Sequence, residues 1–248
     1  RLMKALQRVL IMAEMHGRDL TRRHVALGLL VALPLSFYLA SSRDNTQALS
    51  AGGIGMAFAV SGATLFSVLS SQNVDQRLIL GGYRPVDLLI GRLLFLGPLG
   101  LVIAAGFSVL MSVISHPARP WVLVLGVALV ALQSVPFGLA VGSALSRELE
   151  GTLVLIGVVG MQLAVGPDAA IAKFLPFYGP RRLIEGASQQ QAAILGPVVQ
   201  TVLYGLALLV VARLFMNRRI AVQRHPFIDP TGDPQDTNAS PARADGSN

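Results

Sequence analysis

The polar side chains set deepest in apolar sequence are Gln133, Gln162, Gln200 and Tyr204, with Phe137 one turn beyond Gln133, and none of them is charged. Amides and a phenol can bond a neighbouring helix or line a pathway, but they are not the groups that carry protons or activate a nucleophile. Ser61 would attack a substrate only beside a base. The histidines His16, His24, His116 and His225 fall outside the apolar stretches or at their ends, and no H-E-x-x-H pair exists. The chain has no cysteine for a thiolate nucleophile or metal site. A phosphate-binding loop needs the lysine of G-x-x-x-x-G-K-[ST], and neither Lys4 nor Lys173 stands in that context. Glu148 and Glu150 lie in a short turn, and no acid occupies the centre of an apolar stretch, so the usual proton carrier of a secondary transporter is missing. These residues predict a protein without catalytic or metal-ligating groups.

Six apolar stretches hold these side chains: Val25–Ala40, Leu49–Leu69, Leu88–Ile114, Trp121–Leu145, Thr152–Gly166 and Ile194–Met216. A bilayer core takes about 20 mostly apolar residues as helix. The first and fifth stretches are shorter, at about 15 or 16 residues, and must extend or end just inside the membrane. Of the 248 residues 53% are hydrophobic and 13% charged, against about a quarter charged in soluble proteins. The expected fold is an all-α membrane protein with six transmembrane helices. A basic amphipathic segment precedes the first stretch with no small-residue cleavage site after a short apolar core, so that stretch is expected to remain as an anchor.

The net charge of +7 invites a nucleic-acid reading, but the placement of the charges argues for topology instead. With the N-terminus inside, fourteen Lys and Arg residues fall on the cytoplasmic side and five outside, leaving Arg243 in the far tail. The positive-inside rule accepts that assignment and puts both termini in the cytoplasm, with no nucleic-acid partner required.

Around the spans, residues 1–23 carry Leu2, Leu6, Val9, Ala13 and Leu20 at helical spacing, which predicts an interfacial amphipathic helix seated in the bilayer. Ala51, Gly55, Ala59 and Ala63 form a small-residue packing stripe on the second span. Between Ser70 and Asp87 a short helix parallel to the bilayer is expected, capped by Asn73 or Asp75 and stopped by Gly81 and Gly82, with Arg84-Pro85 turning back into the membrane. Its apolar ridge, Val74, Leu78 and Ile79 beside Asp75 and Arg77, suits a groove on a soluble partner. Residues 166–191 break the apolar pattern with Gly166-Pro167-Asp168 and predict a partly re-entrant region before the last span. The glutamines face either a neighbouring helix or a cavity; Gln200 favours packing, whereas Gln133, beside Ser134, Pro136 and Phe137, favours a cavity. Arg92 and Arg213, near span ends, are expected to snorkel to the headgroups. Residues 221–248 form an expected disordered cytoplasmic tail after the 24–220 membrane domain.

The order of these parts resembles the membrane subunit of a type-2 ATP-binding-cassette (ABC) exporter. The likeness spans most of residues 1–220 and rests on the interfacial helix, the loop Asp75-Gln-Arg-Leu-Ile-Leu-Gly-Gly-Tyr-Arg-Pro-Val-Asp-Leu-Leu-Ile-Gly-Arg-Leu-Leu94 and the segment Leu175-Pro-Phe-Tyr-Gly-Pro-Arg-Arg-Leu-Ile-Glu-Gly186. Many members carry Glu-Arg or Glu-Glu followed by Gly-Thr in the loop, where this chain has Asp75-Gln76-Arg77-Leu78. The resemblance implies a connecting helix, a coupling helix and an extracellular re-entrant region. Asp75, Gln76, Arg77, Leu78, Ile79, Tyr83 and Arg84 would then meet an ATPase subunit in trans, which holds the ATP and Mg. Gln133, Phe137, Gln162, Gln200 and Tyr204 would line the substrate pathway of a homodimer or heterodimer in the plasma membrane. The implied function is outward transport of an amphiphilic drug, lipid or natural product. A secondary transporter, a small membrane enzyme or a structural anchor are the competing readings.

Overall fold

The computed structural model describes residues 24–41, 44–145, 147–166, 168–189 and 193–222. The expected interfacial helix over 1–23 and the tail beyond 222 lie outside them. Among the described residues the chain is helical throughout: α1 (His24–Ala40), α2 (Asn45–Ser70), α3 (Gln72–Leu80), α4 (Pro85–Ser115), α5 (Pro120–Ala144), α6 (Glu148–Ala164), a 3-10 turn (Ala170–Phe174), α7 (Tyr178–Gly186) and α8 (Leu195–Val222). Four of these, α2, α4, α5 and α8, are long and apolar enough to cross a membrane, which marks the chain as a membrane protein. A shorter apolar helix covers Leu30–Ala40 within α1, and α6 has 17 residues.

Local chemistry sets the helix ends. Asp44 accepts a hydrogen bond from the Thr46 N–H at 3.0 Å and so caps α2. Proline opens α4 and α5, where its missing N–H is no loss. The Asp87 carboxylate accepts from the Arg84 N–H at 3.1 Å, closing the first turn of α4. The short helix α3 stops as expected: Tyr83 donates to the Leu78 carbonyl at 3.1 Å and Gly82 to Ile79 at 3.0 Å, with Gly82 at φ 90°, a value open to glycine. Its start differs from the expectation. Ser71 precedes the helix in place of Asn73 or Asp75, and the Ser71 hydroxyl turns back to the Ser67 carbonyl at 2.6 Å, so a single residue separates α3 from the end of α2.

The core is the pair α2 and α5, each 72% buried over its apolar window, whereas only 11% of that window is buried in α8. Water does not drive this packing if the surroundings are lipid; close approach of backbones does. A Cβ at Gly138 of α5 would lie 2.5 Å from the Ser61 carbonyl oxygen of α2, and one at Gly126 would lie 2.8 Å from Ile184 of α7. On its other side α2 meets α1, where Gly55 faces Phe37 and the Pro34 backbone, so the small-residue stripe is a packing face. Ser61 is fully buried on the face toward α5, and its hydroxyl has no hydrogen-bond partner among the described residues. Outer strapping comes from Tyr38 of α1, which shares a 2.6 Å hydrogen bond with Ser115 of α4 and stacks edge-on against Phe107 at 6.3 Å.

Candidate functional site

Several hydroxyls in the bundle are satisfied within their own helices: Thr64 bonds the Val60 carbonyl at 2.8 Å, Ser108 bonds Ala104 at 2.6 Å and Ser134 bonds Val130 at 2.6 Å. The amides and the phenol reach further, and they converge. Gln133 Nε2 donates to the Pro176 carbonyl at 2.5 Å, Gln200 Nε2 to Lys173 at 2.8 Å and the Tyr204 hydroxyl to Phe174 at 2.7 Å. Phe137 packs edge-on against Phe177 with ring centres 5.5 Å apart. Two helices, α5 and α8, thus hold the irregular stretch from Lys173 to Phe177 from both sides. Backbone that leaves the helical pattern has free carbonyls, and inside apolar surroundings each needs a donor. Two of them, Lys173 and Phe174, belong to the 3-10 turn and the third, Pro176, follows it, and the deep polar side chains supply the donors.

The same segment is fastened to α6 by Arg181. Its Nη1 donates to the Val165 carbonyl at 2.9 Å and also to the Gln162 carbonyl, covering groups that the end of a helix leaves unpaired. Its Nε pairs with Glu185 at 2.8 Å, both side chains being nearly buried, and Glu185 in turn accepts from Ser50 of α2 at 3.2 Å. Arg182 pairs with Asp168 at 3.2 Å on the exposed side. A cleft of about 1030 Å³ opens above this network between α2, α6, α7 and the start of α8, lined by Asp44, Ser50, Tyr178, Arg181, Glu185 and Gln200 among others. Arg181 and Arg182 are paired with Glu185 and Asp168, and Asp44 is the fifth charge, so the cleft presents a mixed polar wall and not a field of one sign.

Four of the five side chains expected along a pathway, Gln133, Phe137, Gln200 and Tyr204, therefore lie against the 173–177 stretch. Gln200, expected to pack, does so. Gln133, expected to face a cavity, is 2% exposed and bonded through Nε2, although its Oε1 has no partner among the described residues. Gln162 is fully buried with neither amide atom partnered among the described residues. Of this set only Gln200 borders the cleft.

At the opposite end of the bundle, α3 links α2 to α4. Gln76, Arg77 and Arg84 are exposed, Leu78, Ile79 and Tyr83 half-buried, and the apolar Val74 and Leu80 stand 46% and 88% exposed. Asp75 points inward, 2.6 Å from Arg92 Nη2. Arg92 is 1% exposed and also donates to the Ser71 hydroxyl. Arg92 does not snorkel outward, because an acceptor pair on the α2–α3 junction lies within reach, whereas Arg213 is exposed. Nothing in the sequence of α4 alone could have revealed the inward pair, since its partners lie 17 and 21 residues away.

The chain matches no protein-family model and no curated protein.

Proposed function

We propose that the chain is the permease subunit of a type-2 ABC exporter, moving an amphiphilic drug, lipid or natural product outward across the plasma membrane while a separate ATPase subunit binds ATP and Mg. In this reading α1, α2, α4, α5, α6 and α8 are the six spans, and the 165–187 segment is the re-entrant region on the outer side. Both termini are cytoplasmic. At 17 residues, α1 and α6 are each about 26 Å long. The re-entrant segment continues α6 toward the outer surface, which accounts for the short fifth span. A second permease, identical or different, covers the faces that α6 and α8 leave open and completes the pathway.

The observation that carries the reading is α3. It is a short amphipathic helix outside the long apolar ones, with Val74 and Leu80 exposed beside Gln76, Arg77 and Arg84. An isolated nine-residue helix is marginal in water, so one built with its own glycine stop and a proline restart serves a partner better than it serves the bundle. The expectation is that the chain co-purifies with an ABC ATPase and that Val74→Glu and Leu80→Glu each release the ATPase without altering the permease's elution profile. Retention of the ATPase by both variants would count against the assignment of α3.

A further inference from the structure

Arg92 is a costly residue where it stands. Seven residues beyond Pro85 it is about 10 Å along α4 from the helix start, within reach of water for a long side chain, yet it is 1% exposed. Burying a guanidinium costs more than one surface pair returns, so the placement calls for a role beyond stability. Its two acceptors sit on one short piece of chain: the Ser71 hydroxyl at the end of α2 and the Asp75 carboxylate in the first turn of α3, the latter at 2.6 Å. Both bonds leave from Nη2, while Nε is buried with no acceptor among the described residues. The guanidinium therefore grips by one edge and keeps a spare donor for a second setting of α3.

Resting on the permease reading above, we infer that Arg92 is the positioning residue that makes α3 and the first turns of α4 one lever, so that a displacement imposed on α3 by the ATPase is passed to α4 through Arg92. Without it the direct side-chain bond from Asp75 to the body of α4 is lost, and a push would reach α4 less directly, through the turn Gly81–Arg84 among other joints. At its far end α4 bonds α1 through Ser115 and Tyr38, so tilting α4 moves the outer strapping as well. A lever of this kind works by biasing two arrangements of the same helices.

Because the chain has no cysteine, spin labels can be placed singly and cleanly. With labels at Val74→Cys and Leu94→Cys on the full chain in nanodiscs, the distance distribution is expected to be narrow with Arg92 present and to broaden or split in Arg92→Gln. Asp75→Arg combined with Arg92→Asp should restore the narrow distribution, which also guards against a variant that merely folds poorly. In the complex with its ATPase, Arg92→Gln should lower substrate moved per ATP hydrolysed by about fivefold while the ATPase remains bound. Equal distributions with and without Arg92, or unchanged coupling, would overturn the lever. Failure of any ATPase to bind would overturn the permease reading instead, and leave the label distances to decide the lever alone.

Discussion

Replacing Gly138 and Gly157 by alanine makes the same chemical change at two places whose surroundings predict opposite results. At Gly138 the new Cβ would lie 2.5 Å from the Ser61 carbonyl oxygen and 2.6 Å from Thr64 Cβ. Ordinary contact between such atoms is about 3.5 Å, so α5 must withdraw from α2 by roughly 1 Å along their shared face. Neither obstacle is the end of a flexible side chain. Overpacking of this kind costs about 1–3 kcal/mol, and the upper half of that range applies because α2 and α5 are the two most buried long helices. For a chain of this size that is a loss of about 5–10 °C in melting temperature. At Gly157 of α6 no atom of the described residues outside its own stretch of helix stands within 4 Å of the new Cβ. Alanine gains up to about 1 kcal/mol in helix propensity in water, and less where the unfolded reference in lipid is itself helical, so the change should stay within about 0.5 kcal/mol. Heating detergent-solubilised, fluorescently tagged protein and following the monodisperse fraction by size-exclusion chromatography measures both. Equal melting temperatures for the two variants would refute the close approach of α2 and α5.

Arg181→Met removes the Glu185 partner and uncovers the carbonyls at the end of α6, and should cost about 2–4 kcal/mol in the same melting assay; Glu185→Gln, which can still accept from Ser50, should cost less. Tyr204→Phe and Gln200→Leu each leave one carbonyl of the 3-10 turn without its donor, at about 0.6–2 kcal/mol apiece, and limited proteolysis should show the 165–189 stretch cut faster in the double variant. Gln162→Leu should raise the melting temperature, since a buried amide with both atoms unpartnered among the described residues gives way to an apolar side chain of similar size; a fall would show that the amide has a partner in the folded protein.

Hydropathy placed α2, α4 and α5 to within a few residues, whereas α8 runs on to Val222, past the expected end at Met216. Leu88–Ile114 became Pro85–Ser115 and Trp121–Leu145 became Pro120–Ala144, because prolines and turn residues bound these stretches and end a helix wherever it sits. The fifth stretch was less legible. Its helix runs from Glu148 and not Thr152, since two acids in the first turn favour a helix start electrostatically even though they lower the hydropathy of the window. Which face of each helix turns inward could not be read at all, because these helices are apolar on every side and periodicity has nothing to report. That is why the partners of Gln133, Gln200 and Tyr204 were invisible while their depth was plain. A signal for their partner did exist: the longest stretch between two apolar runs, residues 167–193, had carbonyls to satisfy, and the deep amides were the donors to hand. Arg92 misled for a related reason. A cation near a helix end ordinarily finds water, and only the fold of α2 into α3 shows that Ser71 and Asp75 reach it first.

ATP-dependent outward transport by the reconstituted complex bears most directly on the function proposed for this chain. Inside-out vesicles bearing the chain together with an ABC ATPase subunit, and loaded from outside with a fluorescent amphiphile, should accumulate the dye only when both subunits are present and ATP and Mg are supplied. Vesicles with the chain alone should neither accumulate dye nor hydrolyse ATP. Uptake by the chain alone driven by an ion gradient, or no uptake with any ATPase that binds it, would contradict the account.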